Sequence, residues 1–272
     1  AYGSVTADGS AMASGSSVTI TDSVALVAAP ASGATFLGWV DASGMILGTA
    51  TTYTANSTGD QTVQAVFVGA NSPAWFSNNG YMSTDLNAIA ANGGTKVVLM
   101  NSGVLGAGTY TIPTGVTLLI PYDAANTLHT TAPGDDKLGL LQGEATYVTP
   151  TVYRKLTMAD GATINVNGGL SLSAKMHAGG TKKNIPCGGP TGPVSVIHMN
   201  DGAVINVNSG AGLYAWGFIT GKGNVYAHSG SDVYELFQIM DFRGGTESTS
   251  SEMKTYEVFP MHQYYIQNVE AY

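Results

Sequence analysis

The chain has 272 residues, with 10 Lys and Arg against 18 Asp and Glu, and a formal net charge of −8. Nucleic-acid binding needs clustered basic side chains, and the basic runs here are two residues long, as in Lys182-Lys183, so nucleic acid is excluded as an expected partner. No stretch of about 18 apolar residues occurs, so no membrane insertion is expected. Charged residues make up only 10%, and 36 residues are Gly. This composition favours strands and turns over long helices.

The single cysteine, Cys187, excludes an internal disulfide and is expected to be a loop or packed thiol. A Gram-positive bacterium can secrete a protein of this kind without disulfides. We therefore expect an extracellular location on a bacterial cell surface. No signal peptide begins the sequence, and residues 264–269 read as an interrupted strand, so both ends are expected to be cuts in a longer protein.

Residues 1–70 are predicted to form a small β module. Polar and apolar residues alternate in Ser17–Ile20, in Val24–Ala28 and in Thr62–Phe67, with turn residues between them. Alternation of this kind predicts half-buried strands, and Trp39 is predicted to be a core residue.

The same module contains a characteristic order of features. A strand leads to Pro30, Phe36-Leu37-Gly38-Trp39 follows, and a closing strand ends in Val66-Phe67. This order resembles the internalin-type B repeat of bacterial cell-surface proteins. The resemblance implies a surface-exposed, multidomain protein with host or glycan contacts, and it carries no catalytic residues.

Residues 71–82 are predicted to be a polar connector, followed by one short helix. Ser83 or Thr84 is expected to cap this helix, Leu86 and Ile89 fall at helical spacing, and Asn92-Gly93-Gly94 ends it. A buried strand at 97–100 comes next. The helix is expected to cover the exposed end of the β structure that follows.

An internal repeat is the strongest signal in the sequence. Residues 158–167 recur as 199–208 with eight of ten positions identical, and weaker copies lie at 114–121 and 229–234. Stacked repeats would place Ile164 under Ile205 and would build amide ladders from neighbouring Asn residues. The repeat predicts a β-solenoid over 83–272, with insertions at 123–150 and 175–193 emerging as loops from one side. A β-propeller, whose period is similar, remains the alternative.

The predicted binding residues are four aromatic side chains. Tyr214, Trp216 and Phe218 alternate along the chain, and Tyr226 follows them. Projecting outward, such a row would stack against sugar rings or be covered by a neighbouring module. The opposite orientation, with the aromatic rings inside, stays open.

Catalysis on a parallel β-helix is the main alternative to binding. Asp160, Asp201 and Arg243 are the candidate residues for a polysaccharide lyase or glycoside hydrolase. Both aspartates stand in Asp-Gly, the pair typical of turns, and their spacing follows the repeat, so we interpret them as turn residues. The sequence has no zinc or calcium motif, and no metal or cofactor is expected.

These features predict an all-β protein, with an internalin-type module followed by a right-handed parallel β-helix with one short capping helix. The expected function is a non-catalytic, adhesin-like rod that binds a glycan or a host or bacterial surface protein. Self-assembly into a surface filament or shell is a third alternative. Neighbouring domains and self-association are further expected contacts, because fold alone does not choose among these functions.

Overall fold

The computed structural model describes residues 2–56, 59–126, 151–173 and 193–235, together with three strands at 255–258, 263–266 and 269–271. The regular secondary structure of this described part is β-strand apart from one five-residue helix, so the all-β prediction is confirmed. Within the same residues, no helix is long and apolar enough to cross a membrane.

Two antiparallel sheets occupy the first 69 residues. One has the strand order β2-β1-β3-β6, and the other has the order β5-β4-β7. Their strands are Gly3–Ala7 (β1), Ser10–Met12 (β2), Ser23–Pro30 (β3), Ala34–Val40 (β4), Ile46–Gly48 (β5), Thr52–Asn56 (β6) and Gln64–Gly69 (β7).

Trp39 lies at the centre of the core between these two sheets. It is 1% exposed, and its indole N–H donates to the Ala50 carbonyl at 2.9 Å. Phe36 packs edge-on against it at 5.4 Å between ring centroids, and Tyr53 lies at 6.1 Å. The prediction that Trp39 is a core residue is confirmed.

The alternating pattern of Ser17–Ile20 does not form a strand, and Val18 is 46% exposed. The following strand β3 pairs with β1 on one side and with β6 on the other, so it offers no free edge to the preceding segment. The alternation in Val24–Ala28 does form a strand, as predicted, and the closing strand begins at Gln64.

From residue 96 the chain visits three sheets in rotation. Sheet I has the order β22-β19-β16-β13-β10-β8-β9, sheet II the order β11-β14-β17-β20, and sheet III the order β12-β15-β18-β21-β25. Pairs one circuit apart are parallel. The elements are Ala74–Ser77 (β8), Met82–Ser83 (β9), Leu86–Ala90 (α1), Lys96–Asn101 (β10), Gly103–Leu105 (β11), Gly108–Ile112 (β12), Thr117–Ile120 (β13), Val152–Met158 (β14), Ala162–Val166 (β15), Gly169–Leu172 (β16), Val194–Met199 (β17), Val204–Val207 (β18), Gly212–Ala215 (β19), Phe218–Gly221 (β20), Asn224–Ala227 (β21), Asp232–Glu235 (β22), Thr255–Val258 (β23), Gln263–Ile266 (β24) and Val269–Ala271 (β25).

The three sheets share one hydrophobic core. Equivalent side chains from successive circuits lie in register and are fully buried, for example Leu118, Leu170 and Leu213 in sheet I. Ile164 pairs with Ile205 in sheet III, as the repeat predicts. A side chain that stacks on a copy of itself meets matching volume, which is how a parallel stack fills its interior without cavities.

The predicted amide ladders are present, one on the outer face of sheet III and one at the start of the turns that follow it. Asn206 donates through Nδ2 to Oδ1 of Asn165 at 2.8 Å, and Asn208 donates in the same way to Asn167 at 2.6 Å. The two strong copies of the repeat, 158–167 and 199–208, are 41 residues apart, and this offset is therefore one circuit through the three sheets. The next circuit is shorter, since Ile205 pairs with Val225.

The two weaker repeat copies belong to a different sheet from the strong ones. The strand of 114–121 is β13 and that of 229–234 is β22, and both lie in sheet I, whereas β15 and β18 lie in sheet III. The copies look alike because a Gly turn precedes a strand at two corners of each circuit. A local pattern does not distinguish these corners.

Residues 71–92 cover the first edge of each of the three sheets. Strand β8 pairs antiparallel with β10 at the edge of sheet I, and the Asn71 carbonyl accepts from Val104 N–H on β11 of sheet II. The segment predicted to be a connector thus contains β8, whose Trp75 is fully buried. Its apolar residues Trp75 and Phe76 pair with the first buried strand rather than remaining in solvent.

Helix α1 covers the edge of sheet III. Its N-cap is Asp85, not Ser83 or Thr84, because Oδ1 of Asp85 accepts from the N–H groups of Asn87 and Ala88. Asn87 Nδ2 donates to the Thr109 carbonyl at 2.9 Å, and Oδ1 accepts from Thr111 N–H at 2.9 Å. One side-chain amide therefore satisfies two of the backbone groups that a further strand would pair on β12.

We predict that Asn87→Ala lowers the free energy of unfolding by about 1–2 kcal/mol, because two backbone groups of β12 lose their partners. Denaturant unfolding measures this change. Asn87→Asp retains the acceptor for Thr111 and loses only the donor, so it should cost less. Equal stability of wild type and Asn87→Ala would contradict the edge-covering role.

The loop between β4 and β5 contacts the start of the parallel region. Gly44 accepts from Met82 N–H at 2.9 Å, and Ile46 N–H donates to Gly80 at 2.8 Å. Within the loop, the Ser43 hydroxyl donates to Asp41 at 2.6 Å, and the N–H groups of Ser43 and Met45 donate to the same oxygen. These hydrogen bonds, the Ser43 hydroxyl first, hold the pKa of Asp41 below its ordinary value although desolvation opposes them.

A lowered pKa in the folded state makes a stabilising contribution that is present above the unfolded pKa and is lost as pH falls through the folded pKa. We predict that Asp41→Asn removes this part of the acid dependence of stability. Thermal midpoints measured at about pH 6 and about pH 3 should differ less in the variant than in wild type. An unchanged difference would contradict the prediction.

Candidate binding groove

The structure does not place the predicted aromatic residues in one row. Strand β19 ends at Ala215, the chain bends through Trp216 and Gly217, and Phe218 begins β20 in sheet II. Alternation continues only within one strand, so the expected common face is wrong. Trp216 and Phe218 are buried, at 4% and 5% exposure.

The two tyrosines of the predicted set lie on different outer faces. Tyr214 is half-buried on the outer face of sheet I, whereas its neighbour on the same strand, Leu213, lies in the core. Tyr226 is half-buried on sheet III, in register with Asn206. Of the four predicted residues, only Tyr214 lines the groove described next.

The corner between sheets III and I is built from short turns, one per circuit. Three of them have four residues, with a hydrogen bond from the fourth N–H to the first carbonyl: residues 113–116, 208–211 and 228–231. The third residue of each is Gly with φ between 78° and 83°. Type II turns require a positive φ at this position, which explains the repeated Gly.

The remaining turn of this corner is two residues shorter. Strand β15 ends at Val166 and β16 begins at Gly169, so only Asn167 and Gly168 connect them. The strand register shows the two missing residues, because the offset between paired residues increases by two between the pair Val166 and Val207 and the pair Gly169 and Gly212. The short turn is therefore recessed between longer turns on either side.

This deletion produces a groove of about 260 Å³. One wall is formed by residues 114–117, the floor by 167–169, and the other wall by 210–212 with Tyr214 and Asp232. A Cβ on Gly168 would overlap the carbonyl oxygens of Val116 and Pro113, so the floor is as close to its neighbouring turn as backbone permits.

A column of residues in register runs along the groove. Thr117, Gly169, Gly212 and Asp232 occupy equivalent positions in β13, β16, β19 and β22. Parallel strands lie about 4.8 Å apart, so the column is roughly 14 Å long. The Tyr214 ring lies over Gly212, since a Cβ there would meet Cε2 of Tyr214 at 2.5 Å.

The groove combines an aromatic surface with small polar groups. Tyr214 contributes an aromatic ring, Asp232 is an exposed carboxylate, Asn167 carries an amide, and Thr114 and Thr117 carry hydroxyls. Oxygen acceptors, an amide donor and an aromatic ring together suit a ligand that has hydroxyl groups and apolar C–H faces. Ligand sites generally place a few convergent polar groups on a preformed scaffold.

Two of the three candidate catalytic residues, Asp160 and Asp201, do not lie in this groove. Asp160 and Asp201 are exposed in the turns 159–162 and 200–203, between sheets II and III, as the turn interpretation predicts. Among the described residues, no group of three or more His, Cys, Asp or Glu side chains converges as a metal site would require. Arg243 and Cys187 lie outside the described residues.

No known protein family, curated protein or solved structure matches this chain.

The predicted binding residues do not outline the groove, although the sequence contains a signal for it. Asn167-Gly168-Gly169 aligns with Asn208-Ser209-Gly210-Ala211-Gly212, and the second is the first with Ser and Ala added. The gap follows directly after the strong repeat ends. Its meaning depends on the neighbouring turns, which only the parallel register brings together.

We predict that Gly168→Ala lowers the free energy of unfolding by about 3 kcal/mol, because the added Cβ overlaps two carbonyl oxygens of the next turn. Gly115→Ala is the matched control. Its φ is +82°, and nothing lies within 4 Å of the added Cβ, so it should cost only about 1–2 kcal/mol of backbone strain. Equal costs in denaturant unfolding would contradict the close packing of the floor.

Proposed function

We propose that sheets I, II and III form a right-handed parallel β-helix extending over 83–272. Support comes from the rotation of the chain through the same three sheets and from parallel pairing at each circuit. Connections between parallel strands of one sheet are right-handed in about 98% of cases, which supports the proposed hand.

The proposal includes residues 1–70 as an internalin-type module. Its support is the pair of antiparallel sheets around Trp39, with Phe36 and the closing-strand residue Phe67 packed beside each other at 5.4 Å. These are the residues that carry the resemblance in the sequence.

The proposed function is that of a non-catalytic binding module of a secreted, surface-exposed bacterial protein. The observation that carries it is the groove, because it sets an aromatic ring and polar side chains on a rigid backbone scaffold. The walls are turns fixed by backbone hydrogen bonds, so little ordering free energy is lost when a ligand binds. Low charge and a single cysteine agree with an extracellular rod.

The test is a variant that fills the groove without changing the fold. Ser inserted after Asn167 and Ala inserted after Gly168 restore the five-residue sequence of the next circuit, and we name this the filled-turn variant. Far-UV circular dichroism and the thermal midpoint check that it folds. Tyr214→Ala is a second, independent variant.

We predict that the labelled wild-type chain binds to a glycan array or to intact bacterial or host cells. The filled-turn variant and Tyr214→Ala should lose at least about tenfold in affinity, because each removes part of the contact surface. Tyr2→Ala, which removes an exposed ring of the N-terminal module, is the control and should bind as wild type does.

The competing enzymatic function is tested on the same preparation. Incubation with plant, mucin and bacterial polysaccharides, with and without calcium, should release no reducing ends. Release that disappears in Asp201→Ala or Arg243→Ala would replace the binding function with a catalytic one. Binding that is equal in wild type and in both groove variants would also overturn the proposal.

A further inference from the structure

The electrostatic character of the groove is acidic. Asp232 is its one carboxylate, and no Lys, Arg or His occurs among the described residues that line it. Lys96 precedes Thr117 in the same column, and His228 opens the turn above, yet neither lines the groove. The whole chain carries a formal charge of −8, which adds a repulsive field for anions.

Asp232 stands at one end of the column Thr117, Gly169, Gly212, Asp232. Gly169 and Gly212 have no side chains, and the space above them is taken by the Thr117 side chain and by the Tyr214 ring, so a ligand in the groove meets these two side chains and the carboxylate. A carboxylate accepts hydrogen bonds from hydroxyl groups and repels a second anion. Discrimination by repulsion is a common source of specificity in binding sites.

The shape of the groove limits the size of the ligand. Ligand pockets for drug-sized molecules run from about 300 to 1,000 Å³, and the groove holds about 260 Å³. Tyr214 covers the wall at Gly212, where an apolar ring face would pack. Hydroxyl groups at the rim of such a ligand would meet Thr114, Thr117, Asn167 and Asp232.

We propose that the groove binds a short neutral saccharide, and that Asp232 excludes saccharides bearing carboxylate or sulfate groups. This inference rests on the proposed binding function of the groove and adds the class of ligand. The sugar packs one apolar face on Tyr214 and donates a hydroxyl hydrogen bond to Asp232.

The experiment uses the full chain on immobilised oligosaccharides near neutral pH. The neutral probes end in glucose, galactose, mannose or N-acetylglucosamine, and the acidic probes carry sialic acid, uronic acid or sulfate. Wild type, the filled-turn variant, Tyr214→Ala and Asp232→Asn are compared. Asp22→Asn, which neutralises an exposed carboxylate outside the groove, is the charge control.

Binding to neutral probes is expected, with at least about tenfold loss in the filled-turn variant and in Tyr214→Ala. This binding should change little with salt, since no ion pair forms. Asp232→Asn should gain binding to acidic probes of related structure, and Asp22→Asn should not.

The outcomes separate this inference from the proposed function. Groove-dependent binding that prefers acidic probes, or groove-dependent binding to cells without binding to any glycan probe, would overturn the neutral-saccharide inference and retain the binding function. Acidic probes that stay excluded in Asp232→Asn would overturn the role of Asp232. Binding that is insensitive to both groove variants would overturn both proposals.

Discussion

Parallel backbone pairing between strands one circuit apart is the constraint on which the described residues of 96–126, 151–173 and 193–235 depend. In the parallel part of sheets I, II and III, each strand pairs in fixed register with the strand one circuit earlier in the same sheet, so equivalent residues stand in columns. Inside, the columns are filled by like apolar side chains, such as Ile164 on Ile205. Outside, the same register aligns Asn165 with Asn206 so that their amides hydrogen-bond. A substitution in one strand is therefore felt by its neighbours in the column.

The same parallel pairing leaves the first strand of each sheet with an edge that must be covered. A parallel stack leaves unpaired N–H and C=O groups on its first strand, and exposed edges of this kind promote association. Here β8 pairs with sheet I, Asn71 accepts from sheet II, and Asn87 satisfies sheet III. A paired strand, a backbone carbonyl and a side-chain amide thus cover the three edges, while Leu86 and Ile89 of α1 close the core.

The groove arises because the register tolerates a change in turn length. Shortening one turn to Asn167-Gly168 leaves the strands on both sides paired, so the cost is confined to the corner. Neighbouring turns of ordinary length then become walls. A groove formed this way is rigid, since its backbone positions follow from strand pairing rather than from a flexible loop.

The sequence by itself determined the all-β composition, the core role of Trp39, the short helix after residue 83 and the pairing of 158–167 with 199–208. These follow from local alternation, capping and direct repetition, which act over a few residues. The tertiary structure alone decided that 114–121 and 229–234 belong to another sheet, that Ser17–Ile20 does not pair as a strand, and that Tyr214 is separated from Trp216 and Phe218 by a bend. It also decided where the groove lies. Each of these depends on which strand stands beside which, and parallel pairing joins residues that are 20 or more positions apart.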